Sequence, residues 1–385
     1  MFNSILIVCP FFRPNIGGVE TRFNEITKSL SKKGIKNYVL TFQPLITPGV
    51  RGKRYEQVGD THIFRKEWFG FNLFHKFLNY AVLEFLYLAV PVFWNAFWFL
   101  LFKKKKFNIK TVHAAGLNAT LAMVLLKPFF KYRLISSTHA LYDFDQDSFV
   151  TKVVSWVMGH VDVVFAIGEV SKNELVSIKV DEEKIQIMPT WVNQEIFKPL
   201  DIKKCKEELG FEKKFVVGFV GRLNENKGIH LILRLVQKFE KNKDVVFLII
   251  GTGELDDFVE KESEKRKNVL FLGRVDNYEL PKYISSFDLF LTPSLYPEGY
   301  ARAPVEALSC GVPVLASNKG HLPEIVIEGV GWLVSSNVDA FYVQIKEILK
   351  NRYNLNKMRD FCAKTSKDRF NEKGILKIID AYKLK

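Results

Sequence analysis

Two basic side chains flank a short glycine-containing loop that follows a predicted buried strand. The strand covers residues 215–220, and the loop carries Arg222 and Lys227 before a helix predicted from Ile229. Two cations five residues apart, at a strand end and a helix start, can converge on one doubly charged group, and a diphosphate is the natural match. Taken alone, the pair can also be interpreted as two solvated surface cations.

A second segment, residues 293–316, places two carboxylates eight residues apart around the start of a predicted helix. Glu298 stands at a strand end, and Glu306 lies one turn into a helix that begins near Pro304. Successive loop amides and a helix N-terminus can receive phosphate oxygens. We expect Glu306 to accept two hydrogen bonds from a vicinal diol such as ribose, and Glu298 to face another part of the same ligand.

Paired glycines open the first predicted helix. Gly17 and Gly18 follow the first strand and precede apolar positions that continue to Leu30. Glycines at a helix N-terminus let backbone N–H groups approach an anion closely. An anion-binding turn is therefore one interpretation of this pair, and a plain turn is the other.

Three alternating aspartates, Asp143, Asp145 and Asp147, resemble the start of a calcium-binding loop. Ser148 stands where such a loop needs glycine, and Val154 stands where it needs a bidentate glutamate. The sequence therefore predicts no metal site here, but a polar loop beside the ligand cleft.

Short apolar runs alternate with helix-length amphipathic stretches along the chain, which is typical of parallel β/α layering. The predicted strands fall into two sets, residues 5–8, 38–41, 111–113, 134–137, 163–167 and 185–188, then 215–220, 245–250, 269–272, 289–292 and 314–316. Ligands of open α/β sheets bind beyond the carboxyl ends of the strands. The sequence predicts an α/β fold of two Rossmann-like domains facing across a cleft.

Domain boundaries follow from the two strand sets. We predict a first domain over residues 1–195 and a second over residues 196–369, with the polar stretch 193–211 as the linker and the entry to the second domain. A final helix over residues 370–385 is predicted to cross back to the first domain.

Composition excludes several classes of protein. The 385 residues are 48% hydrophobic and 25% charged, so intrinsic disorder is not the main state. The four cysteines form no C-x-x-C pair, which argues against a disulfide scaffold or a cysteine-rich zinc site. A reducing, cytoplasmic setting is expected.

The net charge of +14 lies entirely in the first part of the chain. Residues 1–140 hold 20 Lys and Arg against 6 Asp and Glu, while the remainder holds 36 of each. Fifteen aromatic residues fall within positions 68–107, which is too apolar for a nucleic-acid groove. An anionic membrane surface is therefore the expected partner, and no nucleic acid is expected.

The segment 77–102 is the candidate for membrane contact, and it runs into four lysines at 103–106. A full span is disfavoured, because strands of one sheet are predicted before and after it. We expect a monotopic or interfacial helix pair, broken near Pro91, that dips into one leaflet. A helix buried in the domain or in a dimer is the alternative. The N-terminus lacks the basic start of a signal peptide.

These motifs together resemble a retaining glycosyltransferase of the GT-B fold, similar to glycosyltransferase family 4. Gly17-Gly18 resembles the N-terminal glycine loop of that family, and residues 221–228 resemble its G-R-L-x-x-x-K-G element. Glu298 to Glu306 resembles the family's E-x7-E signature, and residues 318–334 resemble the segment that follows it. The resemblance covers nearly the whole chain.

The resemblance implies a role for each matching residue. Arg222 and Lys227 are expected to hold the donor diphosphate without a metal, Glu298 to bind the sugar, and Glu306 to bind the ribose. His139 matches the family's active-site histidine, which hydrogen-bonds the sugar or helps the acceptor. The resemblance implies catalytic roles for His139, Glu298, Arg222 and Lys227, and implies donor-binding roles for Gly17, Gly18, Gly221, Arg222, Lys227, Glu298, Gly299, Tyr300, Ala301, Arg302 and Glu306.

Three departures from the family pattern stand out. Ala301 replaces a usual glycine, and Arg302 replaces a usual apolar residue, which would add positive charge near the distal phosphate. Residues 190–193, Thr-Trp-Val-Asn, replace the usual Asn-Gly-Val-Asp, so a role for that segment is not predicted.

The expected activity is retaining transfer of a sugar, a hexose by preference, from a UDP- or GDP-sugar to a hydroxyl of a lipid-linked glycan or phospholipid. No cofactor or metal is expected, and the expected location is the inner face of the cell membrane. A sugar-nucleotide epimerase of the same fold and a non-catalytic nucleotide-sugar-binding protein are the alternatives. A dehydrogenase is disfavoured, because Gly251 and Gly253 are not followed by a third glycine at Asp256.

Overall fold

The chain is described by a computed structural model that covers residues 4–15, 17–45, 49–70, 73, 76–77, 80–145, 147–299 and 301–383. Contacts divide it into two compact units, Met1–Pro189 with Lys373–Lys385 and Thr190–Glu372. The sequence placed these boundaries at 195/196 and 369/370. The first boundary of the structure lies six residues earlier and the second lies three residues later.

The first unit is built on an eight-stranded sheet in the order β3-β4-β2-β1-β5-β6-β7-β8. Every pairing is parallel except that of β3 with β4. The strands are β1 (Ser4–Val8), β2 (Asn37–Phe42), β3 (Tyr55–Val58), β4 (Thr61–Lys66), β5 (Ile109–Ala115), β6 (Arg133–Ser137), β7 (Val163–Ala166) and β8 (Ile185–Ile187).

Helices follow most strands of this sheet, as parallel β/α layering requires. They are α1 (Gly18–Lys32), α2 (Ala81–Lys103), α3 (Gly116–Phe130), α4 (Phe149–Gly159) and α5 (Glu169–Ser177). Helices α2 to α5 contribute to one apolar core with alternate residues of the strands, among them Leu6, Val112, Leu134 and Val164.

Helix α2 corrects the prediction of a helix pair broken near Pro91. The helix is continuous through Pro91, although proline lacks the N–H for the bond to residue 87. Leu88 and Ala89 before the proline, and Val92 and Ala96 after it, are all buried. Burial on both sides of the proline stabilises one continuous helix.

The second unit contains a six-stranded, all-parallel sheet in the order β11-β10-β9-β12-β13-β14. Its strands are β9 (Phe215–Val220), β10 (Val245–Ile250), β11 (Val269–Phe271), β12 (Leu289–Thr292), β13 (Val314–Ser317) and β14 (Gly331–Val334). Its helices are α6 (Ile202–Glu207), α7 (Ile229–Lys238), α8 (Asp256–Glu264), α9 (Leu280–Ser285), α10 (Arg302–Ser309), α11 (Leu322–Ile325), α12 (Val338–Lys350) and α13 (Leu355–Arg369).

The stretch 193–211, which the sequence predicted to be the linker and the entry to the second domain, packs as a piece of the second unit. Phe197 is 1% exposed in the core of that unit. Lys206 of helix α6 lies 2.5 Å from Asp288 through Nζ and Oδ2. The many charges of this stretch concealed these buried positions.

Helix α14 (Lys373–Ala381) belongs to the first unit, where Ile375, Ile378 and Ile379 are buried. Helix α14 contacts α1. The chain therefore returns to the first unit after completing the second, and the α/β fold class predicted from the sequence is confirmed.

Candidate functional site

The loop after β9 is held in place by its own capping group and by a glycine. Asn224 Oδ1 accepts a hydrogen bond of 3.1 Å from the backbone N–H of Lys227, which ends a short 3-10 turn. Gly228 follows with a φ of 73°, and a Cβ there would overlap the carbonyl oxygen of Pro293. Only glycine fits this left-handed position against the backbone that follows β12.

Lys227 and Glu298, predicted from two separate motifs, are in direct contact. Nζ of Lys227 lies 2.6 Å from Oε1 and 2.7 Å from Oε2 of Glu298. The hydroxyl of Ser294 also donates to Oε1 of Glu298. The Glu298 side chain is 10% exposed and that of Lys227 is 33% exposed, so the pair is partly open to solvent beyond the carboxyl ends of the central strands β9 and β12.

Arg222 differs from Lys227 in its surroundings. Its side chain is exposed, and that side chain has no hydrogen bond or ion pair with another residue of the described ranges. The structure therefore places two cations at the carboxyl end of β9, of which one is oriented by a carboxylate and the other is open to a ligand.

The loop that carries Glu298 is fixed from the segment after β13. Gly320 has a φ of 55°, and a Cβ there would overlap the carbonyl oxygen of Glu298. The backbone N–H of His321 donates to that same oxygen over 3.1 Å. Nζ of Lys319 donates to the carbonyl of Leu295 over 2.6 Å. Sequence reasoning missed these residues, and only the glycine hinted at a close approach.

Arg302 and Glu306 face each other on helix α10. Nε of Arg302 lies 3.4 Å from Oε1 of Glu306, and their side chains are 12% and 9% exposed. The sequence interpretation gave the two residues separate roles toward a donor and did not include this contact between them. Ala301 is the N-cap residue of the helix and is 5% exposed, Gly299 is partly buried, and Tyr300 lies outside the described residues.

His139 follows β6 in the first unit and lies near helix α1. Its Nε2 is 3.0 Å from Oγ of Ser137, and its ring centroid is 5.7 Å from that of Phe23. Burial holds the pKa of His139 well below its usual range, with the nearby Arg22 and His113 acting in the same direction. The imidazole is therefore neutral at physiological pH.

The glycine pair at the start of α1 has an acidic neighbour. Gly17 is the N-cap residue of the helix, and a Cβ on it would overlap a carboxylate oxygen of Glu20. Helix α1 therefore begins at the glycine pair as predicted, with a negative charge beside it that the sequence interpretation did not include. Gly17, Gly18 and His139 belong to the first unit, and Gly221 and the other predicted site residues that the structure describes belong to the second.

Two α/β units with these sheets and a returning C-terminal helix define the GT-B class of glycosyltransferase fold. Residues 16–196 match Glycosyltransferase Family 4, and residues 201–369 match Glycosyl transferases group 1. The chain belongs to glycosyltransferase family 4. It is a glycosyltransferase, as the sequence motifs predicted.

Relatives of the chain include enzymes that act on a phospholipid by name. The phosphatidylinositol N-acetylglucosaminyltransferase GPI3 subunit of Saccharomyces cerevisiae is 27% identical, over 84% of this chain and 70% of its own length. The corresponding phosphatidylinositol N-acetylglucosaminyltransferase component of Arabidopsis thaliana is 23% identical over 87% and 72%. An uncharacterised 41.2 kDa protein from the cps region of Klebsiella pneumoniae is 28% identical over 71% and 78%.

Solved structures share the fold over almost the whole chain. The sucrose-phosphate synthase of Thermosynechococcus elongatus superimposes with a TM-score of 0.80 at 18% identity, covering 99% of this chain and 98% of its own. The HepE protein of Anabaena in complex with UDP gives a TM-score of 0.77 at 18% identity, covering 98% of each chain.

Proposed function

We propose that this glycosyltransferase moves a sugar, with retention at the anomeric carbon, from a UDP- or GDP-sugar to a hydroxyl of a lipid-linked glycan or a phospholipid. The observation that carries the donor half of the proposal is the pair of cations, Arg222 and Lys227, at the carboxyl end of β9. The HepE relative in fold was solved with UDP, which supports a nucleoside diphosphate as the common element of the donor.

The contact between Lys227 and Glu298 suits a diphosphate ligand. An ammonium group has three N–H donors, and two of them are directed at the oxygens of Glu298. The third donor is available for a phosphate oxygen, and Arg222 can add a bidentate contact. Glu298 thus orients Lys227 without using all of its hydrogen-bonding capacity.

The proposed reaction occurs on one face of the sugar. The leaving diphosphate accepts the proton of the incoming hydroxyl, while Arg222, Lys227 and loop amides spread the charge that develops on it. In this mechanism the basic side chains take the part that a divalent metal takes elsewhere, and no metal is required.

An apolar face on the first unit supports a lipid acceptor. The helices α2, α3 and α4 carry large hydrophobic side chains that are 44–80% exposed, namely Val82, Leu83, Leu86, Val90, Trp94, Trp98, Leu101, Phe102, Leu125, Phe129, Phe149, Val150 and Trp156. Helix α2 packs against α3, and α3 against α4, and a large exposed apolar area on neighbouring helices marks a protein or membrane contact. The sequence segment 68–107 contained only the part on α2.

Basic side chains border this apolar face where α2 ends. The lysine run 103–106 begins at the last residue of α2, and Lys110 lines a cavity of about 640 Å³ together with Lys127, Lys131 and Arg133. Apolar area edged by cations is the pattern of a surface that binds anionic lipid. We propose an anionic bilayer as the partner of this face, and the inner face of the cell membrane as the location.

Helix α2 is proposed to lie in the interface rather than to cross the bilayer. By length and composition the segment Val82–Lys103 could span a membrane. However, strand β1 precedes this helix in sequence and strand β5 follows it, and the two strands pair in parallel within one sheet. Leu88, Val92 and Leu100 of the helix pack into the apolar core to which these strands contribute. One side of the helix is therefore committed to the domain.

The donor proposal is tested by thermal unfolding of the purified protein with UDP, GDP and ADP in EDTA. We expect one nucleotide to raise the melting temperature, since a ligand at 100 times its Kd adds about 2.7 kcal/mol of stability. The shift should disappear in Arg222→Ala and persist in Arg234→Ala, an exposed arginine on α7. Equal shifts in both variants would contradict the site.

The membrane proposal is tested by sedimentation with vesicles of phosphatidylcholine that contain either no phosphatidylserine or about 30% of it. Binding should require the anionic lipid and should weaken in Lys105→Gln/Lys106→Gln. The matched control is Lys203→Gln/Lys204→Gln, two exposed lysines of the second unit. Binding that ignores lipid charge would contradict an anionic partner.

A further inference from the structure

A chain of hydrogen bonds joins the C-terminal segment to His139 within the first unit. The Tyr382 hydroxyl lies 2.8 Å from Nδ1 of His113, and Nε2 of His113 lies 3.0 Å from Oγ of Ser137. The same oxygen lies 3.0 Å from Nε2 of His139. Tyr382, His113 and Ser137 are each 0% exposed, so bulk water does not compete for these contacts.

The residues of this hydrogen-bond chain are held in place by the backbone of neighbouring strands. His113 lies in β5 opposite Ile135 of β6, and Ser137 is the last residue of β6. Oγ1 of Thr111 donates to the backbone carbonyl of Tyr382 over 3.0 Å. Tyr382, the residue after helix α14, is thereby anchored twice to β5, the strand that carries His113.

Each hydrogen bond of this chain contains a single hydrogen atom, so each pair of neighbouring groups has one donor and one acceptor. Burial, with Arg22 nearby, lowers the pKa of His113 to about 3, so the imidazole is neutral and donates from one ring nitrogen while accepting at the other. Burial raises the pKa of Tyr382 above its usual range, so the phenol keeps its hydrogen. If the donor is known in the hydrogen bond at one end of the chain, the donor in every other hydrogen bond of the chain follows.

We infer that Tyr382 sets this direction and thereby places the ring hydrogen of His139 on Nδ1. Among the described residues, Nδ1 of His113 is the acceptor within reach of the buried phenol, and a buried hydroxyl hydrogen without an acceptor is costly. His113 then donates through Nε2 to Ser137. The Ser137 hydroxyl donates in turn to Nε2 of His139.

This arrangement makes His139 a hydrogen-bond donor and not a base. Its Nε2 lone pair is used by Ser137 and its Nδ1 carries the hydrogen, so it donates to an oxygen of the sugar or of the acceptor. The consequence for catalysis rests on the proposed function, whereas the tautomer does not. Tyr382, His113 and Ser137 are positioning residues that act through His139.

The tautomer is measured by long-range 1H–15N NMR on protein labelled with 15N-histidine at neutral pH, which shows which ring nitrogen carries the hydrogen. Single His113→Gln and His139→Gln variants assign the two rings. We expect the hydrogen on Nδ1 of His139 and on Nε2 of His113. A hydrogen on Nε2 of His139 would overturn the inference.

Three variants separate the links of the chain. Tyr382→Phe should convert both histidines to mixtures of tautomers, while Ser137→Ala should alter His139 and leave His113 unchanged. Thr111→Val, which removes only the contact to the Tyr382 carbonyl, should alter neither. Unchanged tautomers in Tyr382→Phe would show that the phenol does not set the direction.

Turnover supplies the second measurement. Tyr382→Phe should lower kcat by about three- to tenfold with the donor KM nearly unchanged, the size of one neutral hydrogen bond. His139→Asn, whose amide nitrogen overlies Nδ1, should retain more activity than His139→Ala. Wild-type kcat in Tyr382→Phe would contradict the positioning role even if the tautomers change. An absence of sugar transfer in the wild type would contradict the proposed function instead, and the NMR result would still decide the tautomer.

Discussion

The two units carry their candidate site residues in contrasting electrostatic states. In the second unit, Lys227 contacts Glu298 and Arg302 contacts Glu306, so charged groups orient each other. In the first unit, His139 ends a buried chain of neutral groups. Under the proposed function this contrast has a physical reason, because a leaving diphosphate requires oriented charge, whereas a group that contacts a sugar hydroxyl requires only a fixed hydrogen-bond direction.

The two units also differ in the side chains that their outer helices expose to solvent. Helices α2 to α4 of the first unit expose many large apolar side chains beside a run of lysines. Helix α8 of the second unit, with the sequence DDFVEKESE, exposes charges of both signs. This difference supports the proposal that the first unit, and not the second, contacts a lipid surface.

The largest expected effect on activity comes from removing the charged groups of the second unit. Arg222→Ala and Lys227→Ala should each lower kcat/KM for sugar transfer by about 10²- to 10³-fold, as loss of one preorganised donor does elsewhere. Initial rates with a labelled nucleotide sugar measure the effect. Arg234→Ala should leave the rate unchanged, and a near-normal rate in Arg222→Ala would remove the diphosphate role.

A glycine substitution tests how much the close backbone packing at Gly228 contributes to the stability of the second unit. Gly228→Ala should destabilise the protein by about 1–3 kcal/mol more than Gly273→Ala, because overpacking adds to the shared cost of a left-handed φ. Gly273 has a φ of 61° and open space around it, whereas a Cβ at Gly228 meets the Pro293 carbonyl. Urea unfolding compares the two, and equal losses would exclude the predicted clash.

The apolar face of the first unit is tested at its centre. Trp94 and Trp98 are 52% and 51% exposed on α2. Because both side chains would be buried in the bilayer, we expect Trp94→Ser/Trp98→Ser to lower partitioning into vesicles by about tenfold or more. The control is Tyr278→Ser/Tyr353→Ser, two exposed aromatic residues of the second unit. A similar loss in both variants would refute a specific lipid-binding face.

The last prediction concerns the chain of neutral hydrogen-bonded groups and the dependence of stability on pH. His113 is neutral in the folded protein, with a pKa of about 3, but takes up a proton below about pH 6.5 when unfolded. The unfolded state binds more protons in this window, so the stability contributed by His113 is present above it and is lost as the pH falls toward the folded pKa. The loss should be about 1.4 kcal/mol per pH unit.

Urea unfolding at about pH 6 and at about one and a half units lower measures this slope. His113→Gln should show a flatter dependence on pH than the wild type by that amount. An identical dependence in both proteins would mean that His113 is protonated in the folded state, and the direction assigned to the hydrogen-bond chain would fail.

Much of the fold could be predicted from the sequence because most strands are buried on both faces and form short apolar runs. Strands β9 and β10 begin and end where the apolar residues do. Strands β3, β4 and β14 were missed because they are exposed, alternating or half-buried, as the burial of Tyr55–Val58, Thr61–Lys66 and Gly331–Val334 shows. Strands β3 and β14 lie at sheet edges, which leave little apolar signal in the sequence, and β4 alternates buried with partly exposed residues.

The site was predictable where residue types recur in a short motif and not where contacts join distant residues. Glu298, Lys227 and Arg222 are visible as motif positions, but the contact between Lys227 and Glu298 spans 71 residues. The link from His113 to Tyr382 spans 269 residues. No local pattern specifies such pairs, because they follow from tertiary packing.

The most direct test of the proposed activity is transfer of labelled sugar to a lipid extract. The purified protein is incubated with labelled UDP- and GDP-sugars and with membrane lipid in EDTA, and the label is partitioned into the organic phase. We predict that label from one donor enters the lipid fraction, and that none does so with Arg222→Ala. Epimerisation or hydrolysis of the sugar without any lipid product would contradict the account.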